Sequence, residues 1–388
     1  MEQLRANLER HMHHLCLEIG SKHCGSPALA DAGHYIAGYF ASLGLPVRTE
    51  EFPVRGWRFG SFSLYDLTER REVPAALPCY FSNAAEIEDV PFWIDWQDIA
   101  HLDTLPVRGR LCFVAAWHNL TDVFGYNGIA EKLDSLGAAA AIFISRGHTD
   151  LAPSSKIQRS PFLKTMGAAA VAQAGAVYIA GHRKNRFRLA IDASCFDTTA
   201  FNVIARVGNG PKRAVTGAHY DTAPLTQGAQ DDTGGTAALM ELARLVRGSA
   251  PDWTVEFAAF SGEEYVAYDL QMGSGDYIHR HGDEGIRWYL NIDDYGGYFH
   301  VPVFHVSHTD KLPPLKLPYE AVDVTETKGY NGDDRPFGLA GIPTVWMAKR
   351  APFSELHTPE DNLSHTDFDR MEQGVREYAD IFRQLTAG

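Results

Sequence analysis

The sequence has no apolar run long enough to span a membrane. Its longest, residues 137–144, is the size of one buried strand. The opening residues hold no apolar signal core, so a cytoplasmic protein without a membrane segment is expected. Cysteine is scarce: Cys16, Cys24, Cys79, Cys112 and Cys195 form no CxxC, and their odd number leaves one over in any disulfide scheme, which suggests reduced thiols. There is no Gly-x-Ser-x-Gly elbow, no HExxH and no Gly-Lys-Ser/Thr phosphate loop. Serine hydrolases of the elbow type, metalloproteases with two histidines on one helix, and nucleotide hydrolases are thereby removed. Positive charge is also short, with 35 basic against 49 acidic side chains and a net charge of −14. That sign disfavours nucleic acid and anionic membranes and suits a site that concentrates divalent cations.

What is present is an ordinary globular composition, 45% hydrophobic and 22% charged, over 388 residues. That length predicts two domains, or one domain with a large insert. Residues 2–19 carry Leu4, Leu8, Met12 and Leu15 at helical spacing. A break at Gly25-Ser26-Pro27 precedes a second helix over about 28–43, and a strand follows over 45–52. From about 56 to 195 short β-like runs alternate with Pro, Gly and Asn. This smaller β-rich segment includes an expected strand at 109–114, a helix at 129–136 and a buried strand at 137–145. After Thr199 the chain becomes regular α/β, with strands expected at 202–207, 213–218, 254–260, 288–292, 301–306 and 344–348. Helices are expected at 233–248, 275–281 and 367–385, the last capped by Thr366. The expected fold is α/β, a mostly parallel central sheet flanked by helices, with ligands bound beyond the carboxyl ends of its strands.

Five clusters sit at or just after those strand ends. In Thr216-Gly-Ala-His219-Tyr-Asp221-Thr222 a strand runs into a histidine, with a carboxylate two residues on that can fix the imidazole tautomer. Gly228-Ala-Gln-Asp231-Asp232 opens a helix; one acid can cap it while the other reaches a metal or bridges two. In Phe260-Ser-Gly-Glu263-Glu264, adjacent side chains diverge, so one can ligate while the other stands off as general base. Leu290-Asn-Ile-Asp293-Asp294 is a further apolar strand ending in acids, and His357-Thr-Pro-Glu-Asp361 lies in a loop before the final helix. Each alone reads as a loop acid or surface histidine, but five in chain order at strand ends supply the nitrogen and oxygen donors that zinc accepts. His11, His13 and His14, like His279 and His281, read as surface histidines with no partner acid at metal-ligand spacing, not as metal sites. His365 lacks the context of His357.

The ordered set GAHYDT, GAQDDTGG, FSGEE, NIDDYG and HTPED resembles the M28 family of zinc peptidases, the bacterial leucyl aminopeptidase and glutamate carboxypeptidase relatives. The likeness covers residues 1–55 and 196–388 as a zinc peptidase catalytic domain of the phosphorylase/hydrolase-like kind. Residues 56–195 resemble an inserted protease-associated domain. The resemblance implies two Zn²⁺ per chain and a peptide substrate. It makes His219, Glu264, Asp293 and His357 ligands, Asp231 the bridge, Glu263 the base and Asp221 the partner of His219. Tyr330 matches a tyrosine that family members place before a Ser-Asp-His element, although here that element reads Gly332-Asp333-Asp334. An aminopeptidase is favoured, with Arg335, Lys349 and Arg350 keeping a carboxypeptidase open. M20-like amidohydrolases share similar motifs but place their extra domain between the fourth and fifth ligands. A single-zinc glutaminyl cyclase and a catalytically inactive scaffold relative stay open as well.

Overall fold

The computed structural model describes residues 2–115, 125–144, 163–264, 273–282, 285–297, 302–330, 332–349 and 356–387. The chain divides into two compact units. One comprises Met1–Val54, Thr198–Pro352 and Glu360–Gly388; the other comprises Arg55–Asp197 and Phe353–Pro359.

In the first unit, helix α1 (Glu2–His13) runs into a π-helical stretch, His14–Ile19, so the helix expected over 2–19 changes pitch at His14. Leu4, Leu8, Met12 and Leu15 are all buried, as their spacing requires. Helix α2 (Pro27–Ser42) starts where the Ser26 hydroxyl accepts the Leu29 amide and Pro27 fills the first helical position.

Its main further elements begin with strands β1 (Val47–Asp66) and β2 (Phe187–Val207), of which residues 47–54 and 198–207 lie in this unit, then β3 (Lys212–His219), helix α3 (Gly234–Val246) and strand β4 (Trp253–Phe260). They continue with α4 (Gly273–His281), β5 (Ile286–Asn291), β6 (Pro302–Val306), β7 (Ala321–Asp323), α5 (Asp334–Leu339), β8 (Thr344–Lys349) and α6 (Phe368–Thr386). Among these strands the sheet order is β7-β6-β8-β5-β3-β4-β2-β1. Its centre, β8-β5-β3-β4, is wholly parallel. On either side β2 and β6 run antiparallel to their inner neighbours. The central strands are buried on both faces and accordingly read as continuous apolar runs. Ile204, Val215, Phe260, Tyr277, Tyr289 and Phe337 form a core against this sheet, with the Tyr289 and Phe337 rings stacked 3.9 Å apart.

The last helix departs from expectation at its cap. Asp367, not Thr366, takes that position, its carboxylate accepting the Arg370 amide at 3.0 Å. An acid in the first turn also faces the positive end of the helix dipole.

The second unit has its own five-stranded sheet, ordered 76–78, 167–171, 140–144, 111–114, 92–94. Four of these strands are parallel, with 76–78 antiparallel at the edge. Helices Gly125–Ser135 and Gln173–Gly181 accompany them, so this unit is itself α/β in its centre rather than simply β-rich.

The first two helices are tied to α3 by a buried polar knot. The Glu241 carboxylate accepts from Asn7 at 3.1 Å, from Tyr39, and from Arg244 at 2.8 Å, and lies 3.6 Å from His11 Nε2. Burial alone would raise the Glu241 pKa, but the adjacent His11 imidazole and bonds from Arg244, Tyr39 and Asn7 outweigh it and bring it down to about 2. Its folded value is therefore depressed. The knot's stabilisation is complete above the unfolded carboxyl value and is lost as pH falls towards 2. Glu241→Gln is expected to cost about 3 kcal/mol, since it leaves buried donors facing a neutral amide. Denaturant unfolding at neutral pH checks this, and a change under about 0.5 kcal/mol would contradict it.

Candidate metal centre

Strands β4, β3 and β5 are neighbours, with His219 registered opposite Phe260 and Gly217 opposite Asn291. Three of the expected clusters thus leave the sheet side by side, at its carboxyl edge, where open α/β sheets bind ligands. His219 ends β3, Glu263 and Glu264 follow β4, and Asp293 follows β5. The fourth cluster arrives by a loop that bends at Gly228, whose φ is +57°. A Cβ there would stand 2.3 Å from Thr222 Cγ2 and 2.5 Å from the Asp231 carbonyl, so only glycine fits.

His219, Asp231 and Asp293 converge, each at most 7% exposed. His219 Nε2 lies 3.1 Å from Asp231 Oδ1 and 3.5 Å from Asp293 Oδ1. The buried Nε2 nonetheless makes no hydrogen bond, and the three donor atoms lie within 4.8 Å of one another. Three donor atoms gathered this closely around one point could hold a metal ion. Burial alone would lower the His219 pKa, but Asp221, Asp231 and Asp293 outweigh it and hold the imidazole well above its ordinary range. Burial, then the charges of Asp293 and other carboxylates, pushes Asp232 strongly upward. Burial likewise raises Asp333 to about 7. So many carboxylates around one imidazole call for a cation among them, and imidazole with carboxylates is a donor set suited to zinc.

The two adjacent acids after Gln230 have separate jobs. Asp232 accepts the Gly235 amide at 2.9 Å in the first turn of α3, while Asp231 turns to His219. Asp221 also does more than expected. Its backbone carbonyl, 3.1 Å from His219 Nδ1, is nearer than its carboxylate at 3.5 Å. The carboxylate accepts the amides of Glu263 at 3.2 Å and Glu264 at 3.0 Å, so one residue fixes both the imidazole and the glutamate pair. Glu264 is buried, and its Oε1 accepts the Ala223 amide at 3.1 Å. Gly332, with φ +101°, closes the other side: a Cβ there would meet Asp293 Oδ2 at 2.9 Å and Glu263 Oε1 at 3.5 Å. The glycine that replaces serine in the Gly332-Asp333-Asp334 element therefore gives both carboxylates room.

The Tyr330 hydroxyl lies 3.4 Å from His308 Nε2 and 3.4 Å from the Gly338 carbonyl. His357, with φ +62°, lies on Phe353–Pro359, which groups with the second unit. His365 Nε2 is 3.8 Å from Glu360. Arg335 is half-buried; Arg350 and the Lys349 side chain fall outside the described residues.

Of the histidines expected at the surface, His11 needs correction. His11 is fully buried and bonded to Tyr35 at 2.7 Å. His14 pairs with Glu18 at 2.6 Å, and His281 with Glu50 at 3.0 Å. The i,i+4 spacing of His14 and Glu18 is visible in the sequence; the buried Glu241 beside His11, from distant α3, is not. No disulfide joins any of the five cysteines, and burial pushes Cys16 and Cys195 up to about 11, which leaves these two poor nucleophiles. Among the described residues no helix is long and apolar enough to cross a membrane.

Residues 202–380 match the description of peptidase family M28. Aminopeptidase YwaD of Bacillus subtilis is 26% identical over 175 residues, which cover 40% of this chain and only 37% of that protein. Among solved structures, a peptidase M28 precursor from Shewanella amazonensis SB2B is 20% identical, with a TM-score of 0.80 over 100% of this chain and 96% of its own. BSAP, a zinc aminopeptidase from Bacillus subtilis, is 18% identical with a TM-score of 0.73, over 98% and 93%. At such identities the two structures speak to the fold, and the family match speaks to the segment that carries all five clusters. The likeness to peptidase family M28 thus lies in residues 202–380.

Proposed function

We propose that the protein is a zinc-dependent aminopeptidase that removes the N-terminal residue of a peptide. The observation that carries this reading is the convergence of His219, Asp231 and Asp293 at the ends of neighbouring parallel strands. One ion would be held by His219, Asp231 and Asp293. A second would be held by Asp231 and Glu264, with His357 the further ligand that the motif resemblance implies, which would make Asp231 the shared carboxylate. Zinc at such a site supplies Lewis acidity and a water of near-neutral pKa.

The chain's own residues do the rest. Glu263 takes the proton from the attacking water and returns it to the leaving amine nitrogen. Its position beside Asp293, across Gly332, supports that role. Asp221 holds the His219 ring in the orientation that presents Nε2 to the centre, and keeps the backbone of Glu263 and Glu264 in register with it. No step is given to Tyr330, whose hydroxyl is engaged with His308 and Gly338. Residues 56–195 are taken as a protease-associated-like insert without chemistry of its own.

The choice of an aminopeptidase rests on the acidity of the centre, which suits a free α-ammonium, and on the names of the relatives above. A panel of free, N-acetylated and C-amidated dipeptides tests it. Free and C-amidated substrates should be cleaved and N-acetylated ones resisted. Cleavage of N-acetylated peptides with loss of activity on C-amidated ones would instead indicate a carboxypeptidase.

A further inference from the structure

Lys22 is 1% exposed, and among the described residues no other lysine or arginine is buried. A charge removed from water is costly unless its donors are satisfied, so a buried ammonium marks a place where its bonds matter. Its Nζ donates to three main-chain carbonyls: Gly20 at 3.0 Å, Gln227 at 3.2 Å and Leu15 at 3.4 Å. Its backbone pairs with Thr222, the Lys22 amide donating to Thr222 Oγ1 at 2.9 Å and the Thr222 amide to the Lys22 carbonyl at 3.3 Å. One residue therefore grips the loop 222–231 near its start, at Thr222, and again at Gln227, just before the bend at Gly228.

Asp361, from a distant part of the chain, grips the same loop. Its carbonyl accepts from Thr226 Oγ1 at 3.0 Å, and its carboxylate accepts the amides of Gln230 at 2.7 Å and Asp231 at 3.3 Å. Leu363 donates to Gln227 Oε1 at 2.9 Å. The loop between these grips carries Asp231, and neither Lys22 nor Asp361 needs to touch the substrate to matter.

The geometry points to Lys22 as a positioning residue that, together with Asp361, holds the loop 222–231 in place before any metal binds, so that Asp231 meets His219 and Asp293 without an ordering cost. The metal-related part of this inference rests on the reading of the site given above; the bracing of the loop does not. A ligand that is pre-ordered spares the free energy of fixing its backbone on binding.

Amide hydrogen exchange of the metal-free full-length protein, read by mass spectrometry, tests the brace. Lys22→Met keeps the length and apolar bulk of the side chain but removes all three donors. Exchange of segment 226–233, taken relative to strand β3, should quicken by about tenfold or more. Competition with a chelator should show zinc held at least about tenfold more weakly. Unchanged exchange in 226–233, or faster exchange spread evenly over the unit, overturns the proposal. Should Lys22→Met fail to fold, Thr222→Val removes the acceptor of the Lys22 amide at nearly constant shape. It should quicken the same segment by about threefold, and no change there is equally fatal. A wild-type protein that binds no zinc would refute the metal reading, while the exchange comparison would still decide the brace.

Discussion

Glu263→Gln is expected to lower kcat for peptide hydrolysis by about 10²–10⁴-fold while leaving bound metal unchanged. The amide keeps the size of the side chain but cannot accept a proton at neutral pH. Glu263 is the half-buried member of the pair, set beside Asp293 across Gly332, whereas Glu264 is fully buried behind it. The two therefore separate in a single experiment. Glu264→Gln should weaken zinc binding by more than about tenfold, because it removes charge from a ligand and not from a group that stands off the ions. Peptidase assay and chelator competition on the same preparations read both effects. If Glu263→Gln strips metal and Glu264→Gln does not, the two roles are exchanged. If neither slows hydrolysis, the proton-transfer step is wrong.

The ends of the central strands are legible in the sequence because a strand buried on both faces must be apolar throughout, so the acid that follows it stands out. Lys212–His219, Trp253–Phe260 and Ile286–Asn291 all lie within two residues of where their apolar runs predict them. Legibility fails where the deciding partner is distant in sequence. Nothing near Asp231-Asp232 says which acid caps α3 and which faces His219; the fold decides it by bringing Gly228 against Thr222. Spacing marks Asp221 as a partner of His219, but its bonds to the Glu263 and Glu264 amides depend on the register of β3 against β4. Nothing in the sequence singles out Lys22, since an isolated lysine near a chain start is ordinarily solvated. The shift of the last cap from Thr366 to Asp367 is of a different kind: both residue types cap well, and the isolated bridge between Gly297 and Thr366 leaves Asp367 to do so.

Asp231→Ala should have the largest effect on the metals. As the carboxylate common to both proposed ligand sets, its loss should weaken zinc binding by more than about 100-fold, beyond the roughly 10–100-fold typical of groups that only orient a ligand. Helix α3 should persist, because the Asp232 carboxylate still accepts the Gly235 amide in its first turn, and circular dichroism should be unchanged. The measurement that bears most directly on the account is therefore zinc stoichiometry, by elemental analysis of wild type and Asp231→Ala after equilibration with excess zinc and removal of the unbound ion. The account predicts about two ions per wild-type chain, activity abolished by chelation and restored by zinc, and fewer than about one ion in the variant. Saturation of the wild type at one ion, or a variant that retains two, would contradict it.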